Sequence, residues 1–207
     1  MSFVQYFLRD LRPILMGKLT RFIYKSENVK FGRGLRCDGI PIILVDKGAE
    51  IEFGNYVTLR SSVEIRCHGN SRIYISDDVR IDKGVRLLSA NEAILRLHDG
   101  VRIGLFTVVN GGDSITIGAN SLISGYVYLQ ASMHGYKKTG LIIKDQGYNH
   151  APIELKQDCW LGAHVVVMPG VILEEGVVVG SNAVVRRSFS KYSVIGGIPA
   201  KIIKHRE

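Results

Sequence analysis

With 207 residues, 46% of them hydrophobic, the chain is long enough for one domain with a sizeable core. It holds no apolar run of 18 residues, so no spanning helix is expected, and its N-terminus lacks the basic, apolar and small-residue layout of a secretion signal. A net charge of +8 with a pI near 9.5 could suggest nucleic acid, but no nucleic-acid motif or aromatic-basic array accompanies it, and no such partner is expected.

Residues 1–26 read as a helical segment, with Phe3, Phe7, Leu11, Leu15, Leu19 and Phe22 at helical spacing. Pro13 is expected to break or kink it. Arg9, Arg12, Lys18, Arg21 and Lys25 make it basic. Two readings stay open: a cap packed over whatever follows, or a helix that binds a membrane surface or a partner.

From residue 27 to 190 a six-residue beat takes over. Phe31, Phe53, Ile75 and Leu97 recur at a spacing of 22, and Ile117 follows at 20. Further hexads complete triplets such as Phe53, Leu59, Ile65 and Ile75, Ile81, Leu87. Four residues after each beat comes a small or branched residue, among them Val57, Val63, Val79, Val85, Val101, Thr107, Ser121 and Val127. In the last quarter the beat is unbroken: Leu155, Leu161, Val167, Leu173, Val179, Val185. Neither a helix nor an alternating strand has this period, but a coil that turns a corner every six residues does. The expected fold is all-β, a parallel β-helix of triangular coils, with the extra residues of the longer repeats bulging at one corner. Gly32, Gly54, Gly104, Gly118, Gly162 and Gly180 follow inward positions, where they are expected to help the chain turn. Cys159 lies on an inward beat and reads as a core residue, and Cys37 and Cys67 are assigned to the coils as well. Three cysteines without metal-ligand spacing suit a reducing compartment.

The beat stops after Leu129 and resumes at Leu155, leaving a polar, turn-rich loop over 135–152. A long loop inside a regular solenoid is more often functional than ornamental. His134 stands at its mouth and His150 shares it. His98 and His164 fall on outward positions, His68 at a bulge and His205 in the tail. The Asn-Gly-Gly-Asp run from Asn110 to Asp113 reads either as a turn or as part of a site on the coil before the loop.

The stretch QDCWLGAHVVVMPGVILEEGVVVGSNAVV, followed by YSVIGGIPAKIIK, resembles the C-terminal signature of hexapeptide-repeat acyltransferases. The upstream VVNGGDSITIGANSLISGYVYLQASMHGY is most similar to the branch that O-acetylates bacterial surface sugars. The resemblance implies a left-handed β-helix, a homotrimer, and acetyl-CoA bound between neighbouring subunits. It implies His134 as the catalytic base and Asn110 and Asp113 as groups that meet the saccharide acceptor or orient the base. It implies that Trp160 packs beside the pantetheine of the donor, that the backbone amides of Ala163 and Ser181 meet it, and that Arg186, Arg187, Lys201 and Lys204 approach the CoA phosphates. A solvated basic tail over 191–207 is the plain alternative for those cations. Where the family often has Asp-Val-Pro-Pro, this chain has Ser188, Phe189, Ser190 and Lys191, so a different turn is expected there.

The chemistry agrees with that assignment. A sugar hydroxyl attacks a thioester well only if its proton leaves as the bond forms, and an imidazole titrating near neutrality serves as that base. The expected function is acetyl transfer to a saccharide hydroxyl, with N-acetyl transfer to an amino sugar or sugar nucleotide as the alternative. A zinc-dependent relative would need three histidines converging on one site, which their scatter does not favour, and no metal is expected. A purely structural β-helix would need neither the loop nor the signature. The expected setting is the cytoplasm or the inner face of its membrane.

Overall fold

The structure, a computed structural model, describes residues 2–207. Three parallel sheets form the sides of a triangular prism, and the chain winds around it as a left-handed β-helix. Side one stacks seven strands from Val29–Phe31 to Ile172–Leu173; side two stacks nine from Arg36–Cys37 to Lys201–His205; side three stacks seven from Ile42–Val45 to Val184–Val185. Equivalent positions of successive coils pair directly, as in Phe53 with Ile75 and Leu59 with Ile81. Like residues therefore lie in columns, and each coil buries its interior only against its neighbours.

The inward beat lines the core. Its residues from Phe53 to Val185 are buried, as are the branched, small and thiol residues four places after them; Phe31, on the terminal coil, is half-buried. Cys37, Cys67 and Cys159 are all buried within it. The extra residues of the 22-residue repeats do more than bulge at a corner. They lengthen the two flanking sides, whose strands Glu64–Cys67 and Arg72–Ile75 have four residues where the later Val166–Val167 has two. Two added residues are one full pleat period, so each longer side gains one inward residue, as with Ile73 and Cys67.

The corners themselves are left-handed. Gly34, Tyr56, Asp78, Gly100, Asn120, Asp158, Gly176 and Tyr192 all have positive φ, one per coil. Aromatic residues rarely adopt this conformation. Tyr56 does so with its ring over Gly34, where a Cβ would come within 2.6 Å of the ring. The glycines that follow inward positions act differently from what their sequence suggests: Gly32 and Gly118 are not left-handed, but a Cβ on either would lie 2.4 Å from the backbone of the adjoining coil. Their role is close stacking rather than turning. A column of side chains at the same corner joins the coils: the Asn55 amide donates to Asp77 (2.7 Å) and the Asp77 amide to Asp99 (3.0 Å).

The N-terminal segment stays helical across Pro13, so the break half of the expected break or kink is absent. A π-helical turn over Phe7–Leu11, in which the Arg12 amide donates to the Phe7 carbonyl, runs directly into the α-helix Arg12–Tyr24 and loosens the backbone just before the proline, which lacks an N–H to donate. Pro13, Gly17 and Thr20 are buried against the first coil, and a Cβ on Gly17 would sit 2.0 Å from the Leu35 carbonyl oxygen. Arg21 donates to the Gly32 carbonyl (2.8 Å) and the Tyr24 hydroxyl to that of Pro41 (3.0 Å). The helix thus caps the prism. At the far end Ser193–Gly196 continues side two in parallel, and Lys201–His205 turns back antiparallel along it.

Candidate active site

The coil that begins at Ile115 does not close directly. After Tyr128–Gln130 on side three, Ser132–His134 leaves the prism and pairs antiparallel with Tyr148–His150, forming a two-stranded ribbon. Its register sets Ser132 opposite His150 and His134 opposite Tyr148. The intervening loop is held from within: Gln146 accepts from the Lys138 amide (3.0 Å) and donates to the carbonyls of Lys138 and Leu141 (2.8 and 3.0 Å), while the Gly135 amide donates to Gly147 (2.9 Å).

On the ribbon the His134 ring packs against Tyr148, with centroids 4.2 Å apart and planes tilted by 35°. The His150 ring lies 5.9 Å from the same tyrosine, centroid to centroid, with planes 24° apart. His150 Nδ1 lies 2.9 Å from the Ser132 hydroxyl. Gly112 makes room for this pair, since a Cβ there would fall 2.2 Å from Ser132 Oγ and 3.1 Å from His150 Nδ1. Both histidines are exposed. A cleft of about 530 Å³ beside the ribbon is lined by Met133, Tyr136, Lys137, His150 and Arg186, among others.

Asn110 is one coil below, directly paired with Gln130. Its side-chain amide donates to Gln130 Oε1 (2.9 Å), and Gln130 donates in turn to the Ser132 carbonyl. This amide ladder ends at the root of the ribbon. Asn110 and Gly111 belong to the strand Val108–Gly111, so the Asn-Gly-Gly-Asp run is not a four-residue turn; the chain bends only at Gly112 and Asp113, where Asp113 accepts from the Ser114 amide (2.6 Å) and lines a shallow cleft with His150. Gln130, Ser132 and Tyr148 were not picked out by the sequence reading. Gln130 was within its reach, being the outward polar residue stacked on Asn110; the others required the loop to be folded.

The remaining expected residues lie mostly on another face. Trp160, half-exposed on side two, stacks between Leu122 and Val178 and donates from Nε1 to Ser124 (3.3 Å). Lys204 shares a groove with it. Ala163 and Ser181 occupy equivalent places on successive coils at the corner between sides two and three, where a Cβ on Gly162 would lie 2.7 Å from the Ser181 amide nitrogen. Lys201 opens the last strand opposite Gly196, and the Arg187 guanidinium lies 5.2 Å from the Phe189 ring centroid. The divergent turn is built on that phenylalanine: Phe189 is buried against the last coil, and the Ser188 hydroxyl accepts from the Ile172 amide (2.9 Å). Of the four cations, Arg186 alone lines the ribbon cleft. That cleft and the Trp160 groove share no lining residue within one chain.

Comparison with known proteins points the same way. The family model for bacterial transferase hexapeptide (six repeats) matches residues 152–187. An Escherichia coli K12 protein named as a putative lipopolysaccharide biosynthesis O-acetyl transferase, WbbJ, is 30% identical over 206 residues, covering 96% of this chain and 87% of its own length. A Mycobacterium tuberculosis protein named as a probable acetyltransferase is 31% identical over 202 residues, 98% of this chain but 58% of its own length. Among solved structures, the Bacillus cereus N-acyltransferase AntD superposes with a TM-score of 0.65 at 20% identity, covering 92% of this chain and 89% of its own. The polysialic acid O-acetyltransferase OatWY gives 0.60 at 21% identity, with 86% and 88% covered; these two likenesses bear on the fold. The matched repeats and the Escherichia coli relative, matched over most of both chains, make this chain a member of the bacterial hexapeptide-repeat acyltransferase family.

Proposed function

We propose that the protein is a homotrimeric O-acetyltransferase that moves an acetyl group from acetyl-CoA to a saccharide hydroxyl, with His134 as general base. The observation that carries this reading is the placement of His134: exposed on a ribbon that interrupts the coil, its ring backed by Tyr148, with the Asn110–Gln130 ladder running to the ribbon's root. Its imidazole takes the proton of the acceptor hydroxyl as the oxygen attacks the thioester carbonyl. The tetrahedral oxyanion then collapses, the C–S bond breaks, and the imidazolium returns the proton to the leaving thiolate. No acyl-enzyme is required, since the thioester is already activated. Tyr148 restricts the imidazole's orientation; Asn110 and Asp113 contact the acceptor or the base.

The donor is assigned to the other face. Trp160 offers a flat apolar wall for pantetheine, the amides of Ala163 and Ser181 hydrogen-bond it, and Arg187, Lys201 and Lys204 suit a polyphosphate, which Arg186 in the ribbon cleft meets from the neighbouring subunit. The ribbon cleft and the Trp160 groove share no lining residue within one chain, which supports a site completed by a neighbouring copy; a closed ring of three completes it for every subunit. The reducing setting that buried, unpaired thiols suit is the cytoplasm.

The test is thiol release from acetyl-CoA in the presence of saccharide acceptors bearing hydroxyls alone or a free amine. His134→Ala is expected to lower kcat by ~10²–10⁴ and to leave trimer and donor binding intact. Retention of more than about a tenth of the activity, against that expected loss, would transfer the role to His150. Turnover only with the amine would make the enzyme an N-acetyltransferase.

A further inference from the structure

The cap helix is seated by Pro13, Gly17 and Thr20, with Met16 and Tyr24 half-buried beside them, and presents its other large apolar residues to solvent. Pro13, Gly17 and Thr20 recur at i, i+4 and i+7 and face the first coil. Leu15, Leu19 and Phe22 recur with the same spacing on the opposite side, and all three are exposed, Phe22 by 86%. Leu8 and Ile23 extend this strip, as does Ile40 beside Pro41, whose carbonyl holds Tyr24. Scattered apolar residues on a surface need no explanation, but a continuous strip along one helix does. Basic residues border it: Lys18 and Lys25 on one edge and Arg12 on the other, all exposed. No acidic residue occurs between Arg12 and Ser26. Asp10, further back, is paired with Arg9 at 3.6 Å.

We infer that this face docks on an anionic lipid bilayer. The apolar strip enters the boundary between headgroups and acyl chains, and the flanking cations meet lipid phosphates. A second copy of the chain fits the face poorly: a two-fold contact sets each patch against itself, so Arg12, Lys18 and Lys25 would oppose their own like charges. No helix among the described residues is long and apolar enough to cross the membrane, so the contact lies in the interface plane. The inference does not depend on the reaction assigned above.

Sedimentation of the full-length protein with vesicles tests it. The protein is expected to pellet with phosphatidylglycerol–phosphatidylcholine vesicles, weakly with phosphatidylcholine alone, and less as salt is added. Leu19→Glu with Phe22→Glu is expected to abolish the binding, and Lys18→Gln and Lys25→Gln to weaken it roughly fivefold each. Both apolar positions are exposed, so the melting temperature should hold; if the double variant melts early, the lysine variants carry the test. Absence of binding by the unaltered protein, or binding indifferent to all four substitutions, overturns the inference. So does a doubling of particle mass that Phe22→Glu abolishes without any vesicle binding, which would assign the face to a second copy.

Discussion

Burial pushes the thiols of Cys37 and Cys159 up to about 11, from an ordinary value of 9.0. The neutral thiol is therefore favoured in the folded state, and its contribution to stability is complete below the ordinary value and lost as pH rises from 9 toward 11. The melting temperature is expected to fall across that alkaline window. At pH 8 the native protein should resist iodoacetamide, with all three cysteines alkylated only after denaturation; mass spectrometry that finds Cys159 modified in the native state would contradict its burial. The same scale shows what a sequence can disclose about a site. Cys159 could be placed because its position on the beat decides its burial. Trp160 and His134 could be singled out because they lie in recognisable stretches. Tyr148 could not, because its contact with His134 depends on two loop ends meeting in one register out of several, which local sequence does not determine.

Within each coil, the inward beat survives in sequence because it divides residues into two classes, in and out, and burial enforces that division strongly. Side length is less visible: the longer strands Glu64–Cys67 and Arg72–Ile75 continue the same alternation and look like a corner bulge until paired with their neighbours. Pro13 is ambiguous for a related reason, since the π-helical turn that lets the helix run past it leaves no mark in the residues Phe7–Leu11. Glycines show the contrast in a testable form. Gly118→Ala drives a methyl into the Lys156 backbone at 2.4 Å, and is expected to destabilise by ~1–3 kcal/mol. Gly39→Ala meets nothing within 4 Å and should stay within about 0.5 kcal/mol of the parent protein. Urea denaturation of the two variants checks both values; equal costs would mean the coils are not stacked as described.

At the scale of the whole molecule, a site divided between two faces, as proposed, would make a distinctive demand on assembly. His134→Ala and the double variant Trp160→Ala with Lys204→Glu should each be inactive alone. Co-expressed, they are expected to recover part of the activity, because some interfaces in a mixed trimer then pair an intact ribbon with an intact groove. No recovery would place the site inside one chain. The coils also act as a ruler. His134 leaves the fifth rung of side three, four steps above the rung that carries Ile42, so it stands ~19 Å above the first coil at ~4.8 Å per step. With the cap helix sunk partly into the lipid, adding at most its diameter of ~10 Å, the reacting hydroxyl would be held roughly 20–30 Å from the bilayer. A saccharide growing on a lipid carrier would then be modified by its height above the membrane, out of reach until it is long enough. Deleting residues 72–93, one whole repeat whose ends are in register, should lower the site by ~4.8 Å and shift acetylation toward sugars nearer the carrier.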